Sequence, residues 1–306
     1  MKKIALYILL AAIGLPFVSC SDDDDNPVPS GINDDLFSVP ADATDEESVL
    51  RREFHDKTGI HLLFSEILKS TVIGKDANGN DIIKNETIDF AWDYNSDNSG
   101  LEYEMVPFED DDLAGKRKAA DLFVKEILPH IEGSTISPYS VLLTTSLKWR
   151  EYRYDSWSTY TMSCWRCLAV DVDGWVNSST QEESDAWTTA ICKNIVKDRF
   201  SCWSTEAKPW TTISINAGAG EYLSDLFDDW DRDITRVYEL GFMSYRKTSR
   251  PSYDSLPYED SDFNAFYDAV FGRTQEDFEA EFGQYAKIME KYNLMKSLIE
   301  QTGYKF

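Results

Sequence analysis

The chain has 306 residues, with 55 acidic against 30 basic side chains and a formal net charge of −25. Such a surface repels polyanions, which excludes nucleic acid and anionic lipid headgroups as partners and favours neutral, cationic or metal-bridged ones. The length suffices for one large domain or two small ones. Aromatic residues make up 13% of the chain, and such side chains fill a core or offer flat surfaces to ligands such as sugar rings.

Residues 1–19 have the pattern of a secretory signal peptide. Lys2 and Lys3 precede an uncharged, mostly apolar run from Ile4 to Val18, which is shorter than the ~20 residues of a membrane-spanning helix. Cleavage before Cys20 leaves a cysteine at the first mature position. Acyl chains on its sulfur and its amine then give a durable membrane anchor.

The residues around this cysteine resemble two export signals. Residues 17–20 (Phe-Val-Ser-Cys) resemble the bacterial lipobox, with Phe17 where that box usually has Leu. The next residues resemble the export signal of outer-membrane surface lipoproteins: Ser21, Asp22, Asp23, Asp24 and Asp25. The resemblance implies a protein that is anchored through Cys20 to the cell outer membrane and faces the exterior. The alternative is a periplasmic lipoprotein with a solvated acidic spacer.

Residues 20–46 are expected to form a disordered stalk. The segment beyond Cys20 is rich in acidic residues, lacks Lys and Arg, and contains Pro27, Pro29 and Pro40. It is unable to bury much apolar surface, and its charges repel one another. A single folded domain is therefore expected over residues 47–306.

The first half of this domain is predicted to carry the strands. Apolar spacing predicts a short helix that ends at Thr58-Gly59, followed by a buried strand over 60–64. Asn78-Gly79 is a strong hairpin signal, and it lies between strands predicted over 72–75 and 81–84. An amphipathic helix is predicted from Leu113 to a stop near Pro129. Two further strands are predicted over 139–147 and 164–172.

The second half is predicted to be mainly helical. A helix is expected over 184–200, with a core-facing stripe of Trp187, Ile191, Ile195 and Val196. The predictions that follow are a short strand or extended link over 211–215, one long helix over 223–240, a short helix over 262–271, and a last helix that Thr274 caps and that runs almost to the C-terminus. Strands that precede helices, rather than alternate with them, indicate an α+β fold with a small mixed sheet.

Four cysteines remain beyond Cys20, and in an exported protein they are a possible disulfide set: Cys164, Cys167, Cys192 and Cys202. The sequence does not choose among their three pairings. The first two have the spacing of a redox pair, but a strand follows them where such a pair requires a helix N-terminus. A structural role, bonded or free, is favoured. Zinc binding by the four is disfavoured because the last two are far apart in sequence.

The sequence offers no catalytic residue, metal site or cofactor motif. The chain has 3 histidines, which are His55, His61 and His130, and none lies three or four positions from another, as a helix-borne metal pair requires. His61 is expected to be a core histidine. Acidic clusters occur at 109–112, 228–231 and 259–262. They are able to bind calcium or to supply an acid/base pair, but charge runs in so acidic a chain are commonly solvated faces.

Several short motifs resemble a family. Tyr238-Glu239-Leu240-Gly241-Phe242, a proline-containing loop and Glu276-Asp277-Phe278 resemble segments of the zinc-binding metallopeptidase-like lipoproteins that are often encoded beside glycan-uptake systems. The resemblance implies a zincin-like frame with a central His-Glu-x-x-His helix. The corresponding helix, 184–200, has Trp187, Thr188, Ile191 and Cys192 and no histidine. The resemblance therefore implies a frame without its metal.

Three functions follow as expectations. The preferred one is a non-catalytic surface lipoprotein that binds a glycan or a protein partner. The alternative is a carboxylate-dependent hydrolase of a glycan or peptide, with candidates Asp228, Asp231, Glu276 and Asp277. Glycoside cleavage needs two carboxyl groups about 5 to 9.5 Å apart. The third is a structural accessory of an uptake complex.

Overall fold

The structure is a computed structural model, and it describes residues 35–90, 101–151, 157–227 and 233–306. The chain divides into a unit of residues 1–38 and a compact unit from Val39 to Phe306. The signal peptide, Cys20 and residues 21–25 lie outside the described residues, and so do Asp228 and Asp231. None of the described helices is both long and apolar enough to cross a membrane.

The compact unit begins with a helix and a short strand. Helix α1 spans Glu46–Thr58, and the Asp45 carboxylate caps it by accepting a hydrogen bond of 2.8 Å from the backbone N–H of Ser48. Gly59 ends the helix at φ 73°, a backbone conformation that favours glycine. Strand β1 spans His61–Leu63. The predicted helix and strand are both confirmed.

The predicted Asn78-Gly79 hairpin is also confirmed. Strand β2 (Ile67–Lys75) pairs antiparallel with β3 (Asp81–Thr87), and Gly79 takes φ 85° in the turn. A separate antiparallel sheet has the order β4-β6-β7, with β4 at Leu101–Val106, β6 at Ser146–Glu151 and β7 at Trp157–Ser158.

A mixed four-stranded sheet forms the centre of the fold, in the order β1-β5-β9-β8. Strands β5 (Ser140–Thr144) and β9 (Cys167–Asp171) run parallel to β1, and the edge strand β8 (Thr161–Ser163) runs antiparallel to β9. The strand predicted over 139–147 is therefore two strands, β5 and β6, in different sheets. The strand predicted over 164–172 begins later, because residues 164–167 turn the chain from β8 into β9.

Helix α2 (Leu113–Leu122) continues through a π-helical turn (Phe123–Ile127) into α3 (Leu128–Ile131). The helix predicted to stop near Pro129 ends two residues beyond it, at Ile131, because proline lacks the backbone N–H that the helix needs. After β9 come α4 (Asp173–Val176) and α5 (Gln181–Lys197). Helix α5 confirms the helix predicted over 184–200 and begins three residues earlier, at a capping box of Thr180 and Glu183.

Three predictions in the second half are wrong. Residues 211–215 belong to a helix, α6 (Lys208–Asn216), and not to a strand. The helix predicted over 223–240 is not continuous, because α7 (Leu223–Leu226) ends where Phe227 becomes extended, and α8 (Ile234–Leu240) starts at a new cap, Asp233.

The remaining helices are α9 (Glu259–Gly272), α10 (Gln275–Phe282) and α11 (Ala286–Gln301). Thr274 caps α10 as predicted, with its hydroxyl accepting a hydrogen bond of 3.1 Å from the Asp277 N–H. The single last helix is the third wrong prediction, because Tyr285 takes an extended conformation and separates α10 from α11.

One hydrophobic core joins the sheet to the helices. It contains Val141 and Val170 of the central sheet, Phe123 of the π-helical turn and Ile191 of α5. Helix α5 packs on the edge strand β8 and on α9. The α+β fold class is therefore confirmed, and α5 and α9 are brought together at the place where the candidate site lies.

Candidate functional site

A cleft lies where the end of α5 and the loop that follows it meet α9. We name it the aromatic cleft, and the residues that define it are Asp198, Phe200, Trp203, Asp260, Phe263 and Tyr267. Its volume is about 380 Å³, which is in the range of small-molecule sites.

The helical repeat of α9 explains one wall. Asp260, Phe263, Asn264 and Tyr267 all line the cleft, and their spacing of three and four residues places them on one face of the helix. Asp262 lies between them in sequence but points into the core, where it is 1% exposed. The acidic cluster at 259–262 is thus divided between two environments.

The floor of the cleft is a set of packed rings. The ring centroid of Phe200 lies 6.0 Å from that of Phe263, with the planes at 83°, and 6.0 Å from that of Tyr267, with the planes at 78°. These edge-to-face contacts are a favourable aromatic geometry. The Tyr267 hydroxyl donates a hydrogen bond to the backbone oxygen of Lys193 in α5, which fixes α9 against α5. Burial raises the pKa of that hydroxyl, so it remains protonated.

Trp203 lies at the rim of this floor and is 67% exposed. Trp175 and Trp210, by contrast, are 1% and 0% exposed and pack in the core. Core packing therefore does not explain Trp203. A large ring that keeps most of its surface in water beside a concave site is available to stack on a ligand.

Two carboxylates also line the cleft. The Asp198 carboxylate accepts a hydrogen bond of 2.9 Å from the Ser163 hydroxyl of β8. Asp198 is exposed to solvent as a residue, but the atoms that pack around its carboxylate exclude part of the water and so raise its pKa. Asp260 is exposed in the first turn of α9 and accepts a hydrogen bond of 2.7 Å from the Ser261 N–H.

The packed rings and the two carboxylates of the aromatic cleft together favour a polyhydroxylated ligand. Carboxylate oxygens accept hydrogen bonds, and the Asn264 side chain both donates and accepts them. These groups suit hydroxyls, whereas the rings of Phe200 and Trp203 offer apolar area to a flat face of the same molecule. The cleft therefore suits a glycan better than a purely apolar ligand.

The four cysteines that formed the possible disulfide set are all free thiols. Burial raises the pKa of Cys164 and Cys167, and it raises that of Cys192 to about 12. Reactive thiols have lowered pKa values, so the pair Cys164 and Cys167 lacks this property of a redox pair. Cys202 is buried and lines the aromatic cleft.

The described candidates for the hydrolase are not in the cleft. Glu276 and Asp277 are exposed in the first turn of α10, and the Asp277 carboxylate accepts a hydrogen bond of 2.7 Å from the Thr274 hydroxyl. Within the cluster at 109–112, Asp112 caps α2 by accepting a hydrogen bond of 2.9 Å from the Gly115 N–H. The structure instead places Asp198 and Asp260 in one cleft. Asp260 belongs to the acidic cluster at 259–262 that the sequence indicates as a possible acid/base pair, whereas Asp198 has no such signal in the sequence.

The histidines are paired with rings rather than buried in the core. His61 is only partly buried, so the expected core position is wrong; its ring stacks on His55 at 4.3 Å and lies 4.9 Å from that of Tyr139. His130 stacks on Tyr304 at 5.4 Å. Across the described ranges, no group of three or more His, Cys, Asp or Glu side chains is arranged to hold a metal ion.

One wall of the aromatic cleft could be predicted from the sequence. The face of α9 formed by Asp260, Phe263, Asn264 and Tyr267 follows the helical repeat that predicted the helix itself. Trp203 lies in a loop without periodicity, and only the structure separates it from the buried tryptophans. No protein-family model, no curated protein and no solved structure matches this chain.

Proposed function

We propose that this chain is a surface-exposed outer-membrane lipoprotein whose folded domain binds a glycan in the aromatic cleft and does not cleave it. The anchor and the export step rest on Cys20 and on residues 21–25. The binding function rests on one observation: Trp203 stays 67% exposed beside a cleft that also presents packed rings and two carboxylates.

The charge of the chain supports this ligand class. A net charge of −25 repels acidic polymers at long range. A neutral glycan experiences no such repulsion, and its hydroxyls match the acceptors of Asp198 and Asp260. Within this proposal the acyl chains at Cys20 hold the protein to the membrane, because its acidic surface has no attraction for anionic headgroups.

A glycan array tests the binding function. The probe is the full-length chain in mild detergent, and the comparison is with Trp203→Ala. Because tryptophan is among the residues that most often carry binding energy, and Trp203 offers a large exposed ring to the ligand, we expect the substitution to weaken binding about tenfold or more. Trp157→Ala is the control, since Trp157 is also partly exposed, at 42%, and lies on β7 outside the cleft. An array without signal, together with partner proteins captured equally by both chains, contradicts the proposal.

The relation to the zinc metallopeptidase-like lipoproteins is a second part of the proposal. What supports it is the position of α5, a long helix packed on the edge strand of the mixed sheet. In the family this helix carries the histidine pair, and here the matching residues are Trp187, Thr188, Ile191 and Cys192. We propose that the frame is shared and that the metal has been lost.

Hydrolysis is the alternative function, and one observation favours it. Asp198 has a raised pKa and shares the cleft with Asp260, and a carboxyl group with a raised pKa is suited to act as a general acid. Incubation of a bound glycan with the wild-type chain and with Asp198→Asn tests this. Product formed by the wild type and not by the variant supports hydrolysis, and intact glycan with both supports binding alone.

A further inference from the structure

A second pocket lies at the N-terminal edge of the central sheet. We name it the basic pocket, and the residues that the argument uses are Ser137, Tyr139, Trp165, Arg166 and Arg199. Its volume is about 270 Å³. Two arginines line it, and none of the described residues that line it carries a carboxylate. The charged side chains of the lining are therefore cationic in a chain with a net charge of −25, although the Asp89 carboxylate, outside the lining, lies near enough to Cys164 to help raise its pKa.

The backbone of Arg166 is fixed by its neighbours. Its carbonyl oxygen accepts hydrogen bonds from the backbone N–H of Ser140, at 3.1 Å, and from the Ser140 hydroxyl, at 2.8 Å. Its guanidinium carbon lies 4.2 Å from the ring centroid of Tyr139. Stacking of this kind orients the planar donors of an arginine. One guanidinium of the pocket is therefore held in place before any ligand binds.

Arg199 supplies the second guanidinium. It is exposed, and its side chain makes no ion pair or hydrogen bond with the residues that the structure describes. The carboxylate of its sequence neighbour, Asp198, attracts Arg199, but the structure shows no ion pair between the two described side chains, and that carboxylate accepts a hydrogen bond from the Ser163 hydroxyl. Arg199 thus has donors available for a carboxylate, which arginine binds through paired N–H groups.

Trp165 adds a flat apolar surface to these charges. It lies in the turn between β8 and β9, which the hydrogen bond of 2.9 Å from the Cys164 N–H to the Cys167 oxygen closes. It is 82% exposed, so it contributes little to the core. A ring beside two guanidiniums matches a ligand that has both a flat face and a negative group.

The two pockets lie side by side. Lys197, Asp198 and Phe200 line the aromatic cleft, whereas Arg199 lines the basic pocket. Consecutive Cα atoms are about 3.8 Å apart, so the pockets share the short segment that follows α5. The Ser163–Asp198 hydrogen bond joins their walls.

We propose that the basic pocket binds the carboxylate of an acidic sugar residue, with Arg199 on the carboxylate, Arg166 adding positive charge from its fixed position beside Tyr139, and Trp165 against the sugar ring. This inference deepens the proposed glycan binding, since it adds a uronic acid to the ligand class. The acidic surface of the protein repels polyanions. The favoured ligand is therefore a largely neutral glycan that carries isolated acidic sugar residues, and not a fully charged polymer.

Two monosaccharides that differ only at the sixth carbon provide the test. D-glucuronate carries a carboxylate there and D-glucose a hydroxymethyl group. Binding of each to the full-length chain in mild detergent is measured by isotope-edited NMR titration. We expect glucuronate to bind about tenfold more tightly than glucose, which is the value of one charge-assisted hydrogen-bond pair. Equal affinity for the two sugars overturns the proposal.

Charge-matched variants separate the pocket from the general electrostatic field. Arg199→Gln is expected to weaken glucuronate binding about tenfold. Arg117→Gln removes the same charge from the exposed face of α2 and is expected to leave binding unchanged. Equal losses in the two variants overturn the proposal, and so does acetate binding as tightly as glucuronate, because the sugar ring then contributes nothing. Trp203→Ala should leave glucuronate binding intact, so failure of the aromatic cleft and failure of the basic pocket are distinguishable.

Discussion

The ammonium group of Lys291 contacts the carboxylate of Asp262 in the interior of the protein, where the two side chains are 1% and 2% exposed. The ammonium also donates a hydrogen bond of 2.8 Å to the backbone oxygen of Gly241. The Ser214 hydroxyl donates to the same carboxylate at 2.8 Å. The pair joins α9 to α11, and through Ser214 it also contacts α6.

Three aromatic rings enclose this ammonium group. The nitrogen lies 4.6 Å from the ring centroid of Trp210, 4.5 Å from that of Phe242 and 4.6 Å from that of Phe266. Burial raises the pKa of Asp262 and lowers that of Lys291. Each group therefore depends on the other to remain charged in this apolar environment.

The first prediction is that Lys291→Met destabilises the fold by about 3 to 5 kcal/mol, because it leaves a buried carboxylate without its partner. Urea unfolding measures this loss. Lys287→Met, at an exposed position of the same helix, is the control and should change the unfolding free energy by less than about 0.5 kcal/mol. The double variant Lys291→Met with Asp262→Val should recover much of the loss. A single variant as stable as the control contradicts this account of the pair.

The second prediction concerns the cap of α5. The Thr180 hydroxyl accepts a hydrogen bond of 3.2 Å from the Glu183 N–H, and the Glu183 carboxylate accepts one of 3.3 Å from the Thr180 N–H. Thr180→Ala should lower the unfolding free energy by about 1 kcal/mol. Thr212→Ala, the same change inside α6, is the control. Equal thermal midpoints for the two variants would falsify the capping role.

The third prediction is a pH dependence that arises from Asp198. Its pKa is raised in the folded chain, so the folded state binds the proton more tightly than the unfolded state, in which the pKa is about 3.9. The contribution of this proton to the folding free energy is fully present below the unfolded-state pKa, and it is lost as the pH rises through the pKa of Asp198 in the folded chain. The stability of the wild type relative to Asp198→Asn should therefore fall as the pH rises from about 4.

Urea unfolding of both chains at acidic and at neutral pH measures this difference. Asp121→Asn, which removes an exposed carboxylate of α2, is used to subtract the effect of losing one negative charge. If the stability of the wild type relative to Asp198→Asn rises with pH over this range, the pKa of Asp198 is not raised in the folded chain and the prediction is wrong.

The fourth prediction concerns the thiols. Burial raises the pKa of Cys164, Cys167, Cys192 and Cys202, and the thiolate is the reactive form. The folded chain should therefore be alkylated by iodoacetamide at neutral pH at least about tenfold more slowly than the urea-denatured chain. Mass spectrometry counts the labels. Rapid labelling of Cys164 and Cys167 in the folded chain would contradict the prediction and would indicate that these two thiols have the reactivity of a redox pair.

The elements that were predicted correctly carry local signals. Asn78-Gly79 specifies its turn, Gly59 ends α1, and Thr274 caps α10, because each signal depends on residues within a few positions. The strand predicted over 211–215 fails for a tertiary reason. Its β-branched residues favour a strand locally, but Trp210 and Ser214, four apart, are both buried in the helix that forms. Packing outweighs propensity here.

The candidate site was only partly predictable. The α9 wall follows a helical repeat, so Asp260 and Tyr267 could have been grouped from the sequence. Asp198 required the structure, because its partner Ser163 lies on β8, 35 positions away in the chain. Trp203 differs from the buried tryptophans in its exposure to solvent. This exposure was not predictable from the sequence, because it depends on which surfaces the folded chain covers.

The central claim is that Trp203 contacts a bound glycan. The most direct measurement is the indole N–H resonance of Trp203, assigned with Trp203→Phe, during titration with a neutral glycan identified on the array. We predict that this resonance shifts and saturates at the same concentrations as binding, while that of the buried Trp210 stays fixed. Binding of the glycan with no change at the Trp203 indole contradicts the account.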